Sequence, residues 1–215
     1  MFQAFQNLDD EKRYKIINAA LREFSIHNYE TASTNKIVKD AKISKGILFH
    51  YFGSKKNLYL YLYDYVTTIF TDAINNSLDL EEPDIFKRYK QIMMMKLALI
   101  QQYHTLFDFL KKTYAETSLE VRNELDQYNS KLQDSSYTRV FAGIDYNLFH
   151  ENIDRTKALD TIKWVTDGIS DRYEKQLKSN LDNTEAFHQL LEQCMAEATH
   201  YFEFLKQLLY RNTKG

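Results

Sequence analysis

The segment SKGILFHYF, residues 44–52, has a composition suited to contacting an anionic partner. It begins with a serine that can cap a helix, and Lys45 falls in the first helical turn. Lys55 and Lys56 follow a second serine cap, Ser54, in the same way. Cations at a helix N-terminus oppose the helix dipole, so three of them at two helix starts are best explained by a bound anion such as a phosphate. The alternative is an ordinary solvated lysine face.

Helical spacing divides this segment into an anchoring face and a contacting face. Leu48 and Phe52 lie four residues apart and share the face that we expect to be buried. Gly46 lets the backbone approach another surface closely, which a core helix does not need. Because phosphate contacts fix register on DNA while neighbouring side chains reach base edges, the segment is predicted to be a DNA-recognition helix. The residues on the outward face are Lys45, Gly46, Phe49 and His50.

Long apolar stripes at helical spacing run through most of the chain. Only five glycines and one proline occur in 215 residues, which predicts an all-α protein. A first helix beginning at Asp9 and a second helix capped by Ser33 or Thr34 precede the recognition helix. Two short helices joined by a tight turn and braced by a third form a helix-turn-helix unit. We therefore expect an N-terminal three-helix DNA-binding domain, residues 1–53, joined to a larger helical ligand-binding and dimerisation domain, residues 54–215.

The N-terminal part of the chain resembles a known family of DNA-binding proteins. The TetR (tetracycline-repressor-like) family of bacterial regulators is similar over residues 16–58, which read IINAALREFSIHNYETASTNKIVKDAKISKGILFHYFGSKKNL. The most specific match is SKGILFHYFGSKKNL, and the remainder resembles the family in length and helical layout. One departure is Lys42, where the family usually has a turn glycine. The resemblance implies a transcriptional regulator, expected to be a repressor that a small, largely apolar ligand releases from a palindromic operator in double-stranded DNA.

The resemblance also implies DNA contacts for individual residues. Thr34, at the start of the second helix, and Lys55, at the start of the fourth, would each meet a phosphate. Ile47 and Phe49 carry no hydrogen-bonding groups, so they would read bases through thymine methyl groups. For Tyr51 the alternative is packing in the core. The implied base contacts are Lys45, Gly46, Ile47 and Phe49, and the implied backbone contacts are His50 and Tyr51.

The last two predicted helices carry apolar stripes wider than a single packing seam requires. The stripes run over residues 159–177 and 187–209 and suggest a shared helical bundle. In the TetR family the corresponding pair forms a four-helix dimer interface, so the resemblance implies a homodimer. The alternative is that both stripes close the core of one subunit. The residues expected at the interface are Ile169, Tyr173, Tyr201, Leu205 and Leu208.

The helices after Pro83 are the expected site of a small-molecule effector. Residues 61–215 are far more than DNA binding requires, and an aromatic content of 14% suits a pocket for an apolar or aromatic ligand, although plain aromatic cores look the same in sequence. Such a ligand would lower operator affinity through the helix that begins at Ser54. The residues expected to line the pocket are Met94, Tyr103, Phe107, Tyr137 and Trp164.

The charge distribution and cysteine content indicate a regulator in the cytoplasm. A net charge of -2 argues against a general nucleic-acid coat protein. Residues 1–60 nevertheless carry ten Lys and Arg against six Asp and Glu, so the basic end contains the recognition segment. Cys194 is the only cysteine, which makes an intramolecular disulfide impossible. We expect no signal segment, no membrane-spanning segment and no membrane partner, because no apolar run is long enough.

Enzymatic function has little support in the sequence. Glu185-x-x-His188 and Glu197-x-x-His200 match an element of di-iron bundles, but both lie on one predicted helix, whereas such sites need facing helices. No catalytic motif is present, so we expect no enzyme, no cofactor and no metal. Two alternatives to a ligand-responsive repressor remain: a constitutive or architectural helix-turn-helix protein and, more remotely, a helical-bundle enzyme.

Overall fold

The protein is all-α, as predicted. A computed structural model describes residues 2–180 and 183–211, apart from the side chains at positions 97, 101, 133–137, 174, 175 and 178. Across these residues the sole β-type pairing is an isolated bridge between Phe149 and Tyr210, and a 3₁₀ turn spans Tyr146–Leu148. The α-helices are α1 (Gln3–Gln6), α2 (Asp10–Ile26), α3 (Thr34–Ala41), α4 (Lys45–Phe52), α5 (Lys55–Ser77), α6 (Ile85–Gln102), α7 (His104–Tyr114), α8 (Leu119–Phe141), α9 (Arg155–Ser179) and α10 (Thr184–Leu209).

Side-chain caps fix where most of these helices begin. In each case a short polar side chain accepts a hydrogen bond from the amide three residues on, which satisfies a donor that has no partner within the helix. This arrangement confirms the predicted caps at Ser44 and Ser54 and selects Ser33 over Thr34 for α3. The capping residues are Asp9, Ser33, Ser44, Ser54, Asp154 and Asn183.

The described chain divides into two compact units. The first contains the residues up to Asn76 together with Leu97–Asp134, and the second contains Ser77–Lys96 and the residues from Ser135 onward. The division therefore falls inside helices α6 and α8. The predicted boundary between residues 53 and 54 separates two functions, DNA binding from ligand binding and dimerisation. The division into compact units does not test it, so this boundary stays a prediction.

The core of the first unit joins the helix-turn-helix to helices from later in the chain. Phe24 of α2, Tyr59 of α5 and Phe109 of α7 are fully buried and pack edge to face, with ring centroids 4.9–6.4 Å apart. Aromatic pairs at these separations favour edge-to-face packing because of the ring quadrupole. The helix-turn-helix therefore shares one hydrophobic core with α5, α7 and α8.

Polar contacts in the same unit connect the loop after α2 to the region around α8. The backbone N–H of Tyr29 donates to the buried carboxylate of Glu116 at 2.7 Å, and the Tyr29 hydroxyl donates to Glu120 at 2.6 Å. Burial, followed by the Glu120 hydrogen bond, raises the pKa of the Tyr29 phenol, so it remains a donor at neutral pH. Glu116 also accepts the backbone N–H groups of Thr117 and Ser118. The loop after α2 is therefore held to the α7–α8 connection.

The second unit is built around a buried arginine and a buried aspartate. Arg88 has no exposed surface and donates to backbone carbonyl groups, including those of Leu80 at 2.7 Å and Val140 at 3.0 Å. A cation near the C-terminus of α8 also suits the helix dipole. Asp84 accepts from Lys206 Nζ at 2.5 Å and from the Tyr210 hydroxyl at 3.1 Å. These contacts fasten α6 to the ends of α8 and α10.

Helices α9 and α10 pack against each other within the second unit. The Glu197 carboxylate on α10 accepts from the Arg172 guanidinium and from the Tyr173 hydroxyl on α9. Some apolar residues of this pair stay exposed, among them Trp164 and Leu208. None of the described helices is long and apolar enough to cross a membrane.

Candidate nucleic-acid interface

The recognition helix α4 is held by one face, as the spacing predicts. Ser44 Oγ accepts from the Ile47 amide at 3.2 Å and starts the helix, and Gly53 ends it in the positive-φ region at 73°. Leu48 and Phe52 are almost fully buried. The predicted anchoring face is therefore confirmed.

The opposite face of α4 is open to solvent. Lys45, Gly46 and His50 are exposed, and Ile47 exposes 42% of its surface. No described side chain other than that of Ser44 comes within 4 Å of the position a Cβ would take on Gly46, so a partner can approach the backbone there. Phe49 is half-buried and lies 6.0 Å from Lys45 Nζ, so the lysine covers part of its ring. Thr34 at the start of α3 is also partly accessible.

The turn before α4 forces Lys42 into an unusual backbone conformation. Lys42 adopts φ 56° and ψ 43°, in the left-handed region where residues with a Cβ are strained. The Ile43 amide donates to the Val38 carbonyl at 3.0 Å, which closes the end of α3 as in a Schellman motif. The turn is therefore wound in the way that suits a glycine, although a lysine occupies the position.

The two lysines at the start of α5 make contacts within the protein. Lys55 Nζ donates to the Glu30 carbonyl at 3.1 Å and lies 5.1 Å from the Tyr29 ring centroid. Burial lowers the pKa of the Lys55 ammonium. Lys56 pairs with Glu124 at 2.5 Å. Both cations therefore stabilise the first unit, and a phosphate contact would have to share or replace these partners.

Tyr51 is half-buried, and its neighbours include a residue that the sequence analysis missed. Its ring lies 5.7 Å from the ring of Phe5 and 5.5 Å from that of His50. Phe5 belongs to α1, a helix that the sequence analysis did not predict. The available signal was the pair Phe2 and Phe5, three residues apart and therefore on one helical face.

The residues expected to line an effector pocket are divided between the two units. Met94 and Trp164 belong to the second unit and are both exposed, Trp164 by 68%. Tyr103 and Phe107 belong to the first unit, where the Tyr103 ring packs edge to face on Phe70. The side chain of Tyr137 lies outside the described residues. No cavity formed by these five residues is described, so the pocket stays a prediction.

The residues expected at a dimer interface divide into two sets by exposure. Ile169, Tyr173 and Leu205 are buried within the second unit, whereas Tyr201 and Leu208 are exposed. Two exposed residues of the same unit, Trp164 and Phe204, were not assigned to the interface in the sequence analysis. Among the described residues, no group of three or more His, Cys, Asp or Glu side chains is placed to hold a metal ion.

Comparisons with known proteins agree with this architecture. Residues 16–62 match the family described as bacterial regulatory proteins, tetR family. Over 127 residues the chain is 32% identical to the uncharacterised HTH-type transcriptional regulator YuxN of Bacillus subtilis strain 168, covering 59% of this chain and 42% of that protein. Over 50 residues it is 40% identical to the HTH-type transcriptional repressor AcnR of Corynebacterium glutamicum, covering 23% of this chain and 27% of that protein. The chain therefore matches less than half the length of either curated relative.

A solved structure shows the same fold over nearly the whole chain. A transcriptional regulator from Cytophaga hutchinsonii superposes with a TM-score of 0.64 at 17% identity, covering 94% of this chain and 100% of that one.

The left-handed conformation of Lys42 generates a stability prediction. Lys42→Gly should raise the free energy of unfolding by about 1 kcal/mol, because a residue with a Cβ in this region costs roughly 1–2 kcal/mol. Urea unfolding followed by circular dichroism measures the change. The control is Lys39→Gly in the last turn of α3, which should lower stability by about 1 kcal/mol because glycine weakens a helix. A Lys42→Gly variant less stable than the parent would contradict the assigned backbone conformation.

Proposed function

We propose that this protein represses transcription by binding a palindromic operator as a homodimer in the cytoplasm, because its residues 16–62 match the tetR family of bacterial regulatory proteins. The observation that carries the proposal is the division of α4 into a buried face and an exposed face. Leu48 and Phe52 hold the helix, while Lys45, Gly46 and Ile47 remain accessible to the major groove. The helix-turn-helix relatives support this function.

Each part of the proposed DNA contact has a distinct role. Lys45 and Ile47 read base edges, the lysine by hydrogen bonding and the isoleucine through thymine methyl groups. Thr34, His50 and Tyr51 contact the DNA backbone. Lys55 reaches a phosphate after exchanging its contact with the Glu30 carbonyl, and the phosphate restores the hydrogen bond that the ammonium gives up. Gly46 and Phe49 lie beside the bases, as the family resemblance implies.

The exposed apolar residues of α9 and α10 support the homodimer. Phe204 and Leu208, four residues apart on α10, expose 56% and 55% of their surfaces. Trp164 is exposed on α9, and one turn later the Cβ position of Gly168 has no described atom within 4 Å apart from the two adjacent residues and the backbone of its own helix. A glycine on an exposed face lets two helices approach closely, and apolar side chains around it lose their contact with water when a second subunit binds. The proposed interface is Trp164, Gly168, Tyr201, Phe204 and Leu208.

A depression in the second unit supports a small-molecule effector. It has a volume of about 580 Å³ and combines the predicted pocket residue Met94 with Met95 and two lysines. The Gln91 side-chain oxygen at this depression is buried and has no hydrogen-bond partner among the described residues. An unpaired buried acceptor is costly, so a ligand that offers a donor gains from binding there. The proposed effector is largely apolar and carries a hydrogen-bond donor. The residues lining the depression are Ser77, Asp79, Lys87, Lys90, Gln91, Met94 and Met95.

Repression is relieved if the effector binds the form of the protein that does not fit the operator. An effector that prefers this form tenfold lowers the apparent operator affinity by about 1.4 kcal/mol per site. A protein with no effector would instead bind DNA constitutively, and effector screening separates these two functions.

The first prediction from this proposal separates base reading from phosphate contact. The probe is an operator selected in vitro from random duplex DNA, compared with a random duplex. Lys45→Ala should weaken operator binding more than random-duplex binding, because it removes a base contact. Lys55→Ala should weaken both alike and reduce the salt dependence by about one unit of slope per subunit. Fluorescence anisotropy at several salt concentrations measures both effects.

Lys157→Ala, which removes an exposed lysine of the second unit, is the control and should change neither quantity. If Lys55→Ala altered the sequence preference while Lys45→Ala did not, the proposed roles of the two lysines would be wrong. Selection that enriched no sequence would remove the support for an operator-binding function.

The second prediction concerns the dimer. Leu208→Glu should give a monomer with weakened operator binding, because a carboxylate cannot be buried at the proposed interface without a partner. Leu205 is unsuitable for this test, since it is already buried in its own subunit and a charge there would disturb the fold. Analytical ultracentrifugation gives the oligomeric state. The control is Leu119→Glu, at an apolar residue of the first unit that is 84% exposed, which should remain a dimer. A dimeric Leu208→Glu protein would place the interface elsewhere.

The third prediction locates the effector. Fatty acyl compounds, aromatic drugs and lipophilic cations are screened for release of the selected operator. For a releasing compound, Met94→Ala should raise the concentration needed about tenfold, which corresponds to about 1.4 kcal/mol of lost binding. Tyr146→Ala, at an exposed aromatic of the same unit that belongs neither to the depression nor to the proposed dimer interface, should leave that concentration unchanged. The opposite result would remove the support for the depression as the effector site, and a screen with no releasing compound would favour the constitutive binder.

A further inference from the structure

Helix α1 lies outside the helix-turn-helix and contacts the recognition helix directly. Phe5 has no exposed surface, and its ring centroid lies 4.7 Å from that of Phe52 and 5.7 Å from that of Tyr51. Phe2 adds a contact at 5.5 Å from Phe52. The N-terminal segment, residues 2–8, therefore contacts two residues of α4: the buried Phe52 and Tyr51, which is proposed to contact DNA.

The C-terminal half of α4 depends on this segment for its packing. Leu48 and Phe52 are the two buried residues of the eight-residue helix. The aromatic neighbours of Phe52 within the described part of the chain are Phe2, Phe5 and Tyr61, so two of the three come from the N-terminal segment. A helix of two turns is not stable by itself, and its position is set by what its buried side chains contact.

The N-terminal segment is itself fastened to α2. Arg13 Nη1 donates to the Gln6 carbonyl at 3.2 Å and lies 3.5 Å from the Leu8 carbonyl, and its other terminal nitrogen pairs with Asp10. Tyr61 of α5 meets Phe5 edge to face at 5.4 Å. Phe5 therefore packs between α4 and α5 on a segment that is fastened to α2, and a shift of its ring would be transmitted to α4.

We infer that Phe5 is a positioning residue for DNA recognition: its ring fixes the C-terminal turn of α4 and the orientation of Tyr51. The inference rests on the proposed operator binding. The His50 ring lies 5.5 Å from the Tyr51 ring. Phe5 therefore acts on both residues of α4 that are proposed to contact the DNA backbone, without contacting DNA itself. Close packing transmits a change in one buried ring to its neighbours, since the interior has few voids.

The experiment compares two buried phenylalanines of the same hydrophobic core. Phe5→Leu removes a ring beside α4, and Phe109→Leu removes an equally buried ring that packs on Phe24 and Tyr59 instead. Both variants should lose similar thermal stability. Phe5→Leu should weaken binding to the selected operator tenfold or more, whereas Phe109→Leu should change it by less than twofold.

Hydrogen exchange provides a measurement that does not need DNA. Amides of residues 44–53 should exchange faster in Phe5→Leu than in Phe109→Leu, while amides of α2 should be affected alike. If Phe5→Leu does not fold, Phe2→Leu replaces it, since Phe2 is only partly buried and makes the same contact with Phe52. The expected loss of operator affinity is then about threefold.

Two outcomes would overturn the inference. One is equal loss of operator affinity in Phe5→Leu and Phe109→Leu, which would mean that Phe5 supports stability only. The other is unchanged exchange over residues 44–53. Failure to select an operator would count against the proposed function, and the exchange comparison would still decide the role of Phe5.

Discussion

An eight-residue recognition helix must take its position from the surfaces that bury it. Two turns contain too few backbone hydrogen bonds to offset the entropy of ordering the segment, so Leu48 and Phe52 supply the missing stabilisation through burial. The same spacing that buries these two side chains turns Lys45 and His50 toward solvent. The helical period therefore decides both which side chains of α4 are buried and which remain exposed for the proposed contact with DNA.

Because α4 needs neighbouring surfaces to bury its apolar side chains, the first unit is larger than a three-helix domain. The core that holds α4 continues through Phe24 and Tyr59 to Phe109 of α7, and the Tyr29 loop is bonded to Glu116 and Glu120. The helix-turn-helix is thus connected to α7 and α8 by both apolar and polar contacts. These contacts reach α2 and the loop after it, whereas the aromatic side chains that pack on Phe52 of α4 come from the N-terminal residues and from α5.

Local patterns in the sequence determined the class of the fold and the shape of the candidate site. The scarcity of glycine and proline indicated an all-α chain, and the serine cap and four-residue spacing located α4 with its buried residues. These features depend on residues within one or two helical turns of one another, so they can be recognised without the tertiary structure. The resemblance over residues 16–58 added the family, which the comparisons support.

Contacts between distant residues were decided only by the tertiary structure. The sequence suggested that Lys55 would be available to a phosphate, but the fold places it on the Glu30 carbonyl and the Tyr29 ring. Leu205 and Leu208 share one apolar stripe, yet the first is buried in its own unit and the second is exposed. The packing of Phe5 on Phe52 joins residues 47 positions apart, and no local rule specifies such a pair. Hydrophobic periodicity identifies which face of a helix is apolar, whereas the partner that covers this face depends on how the whole chain packs.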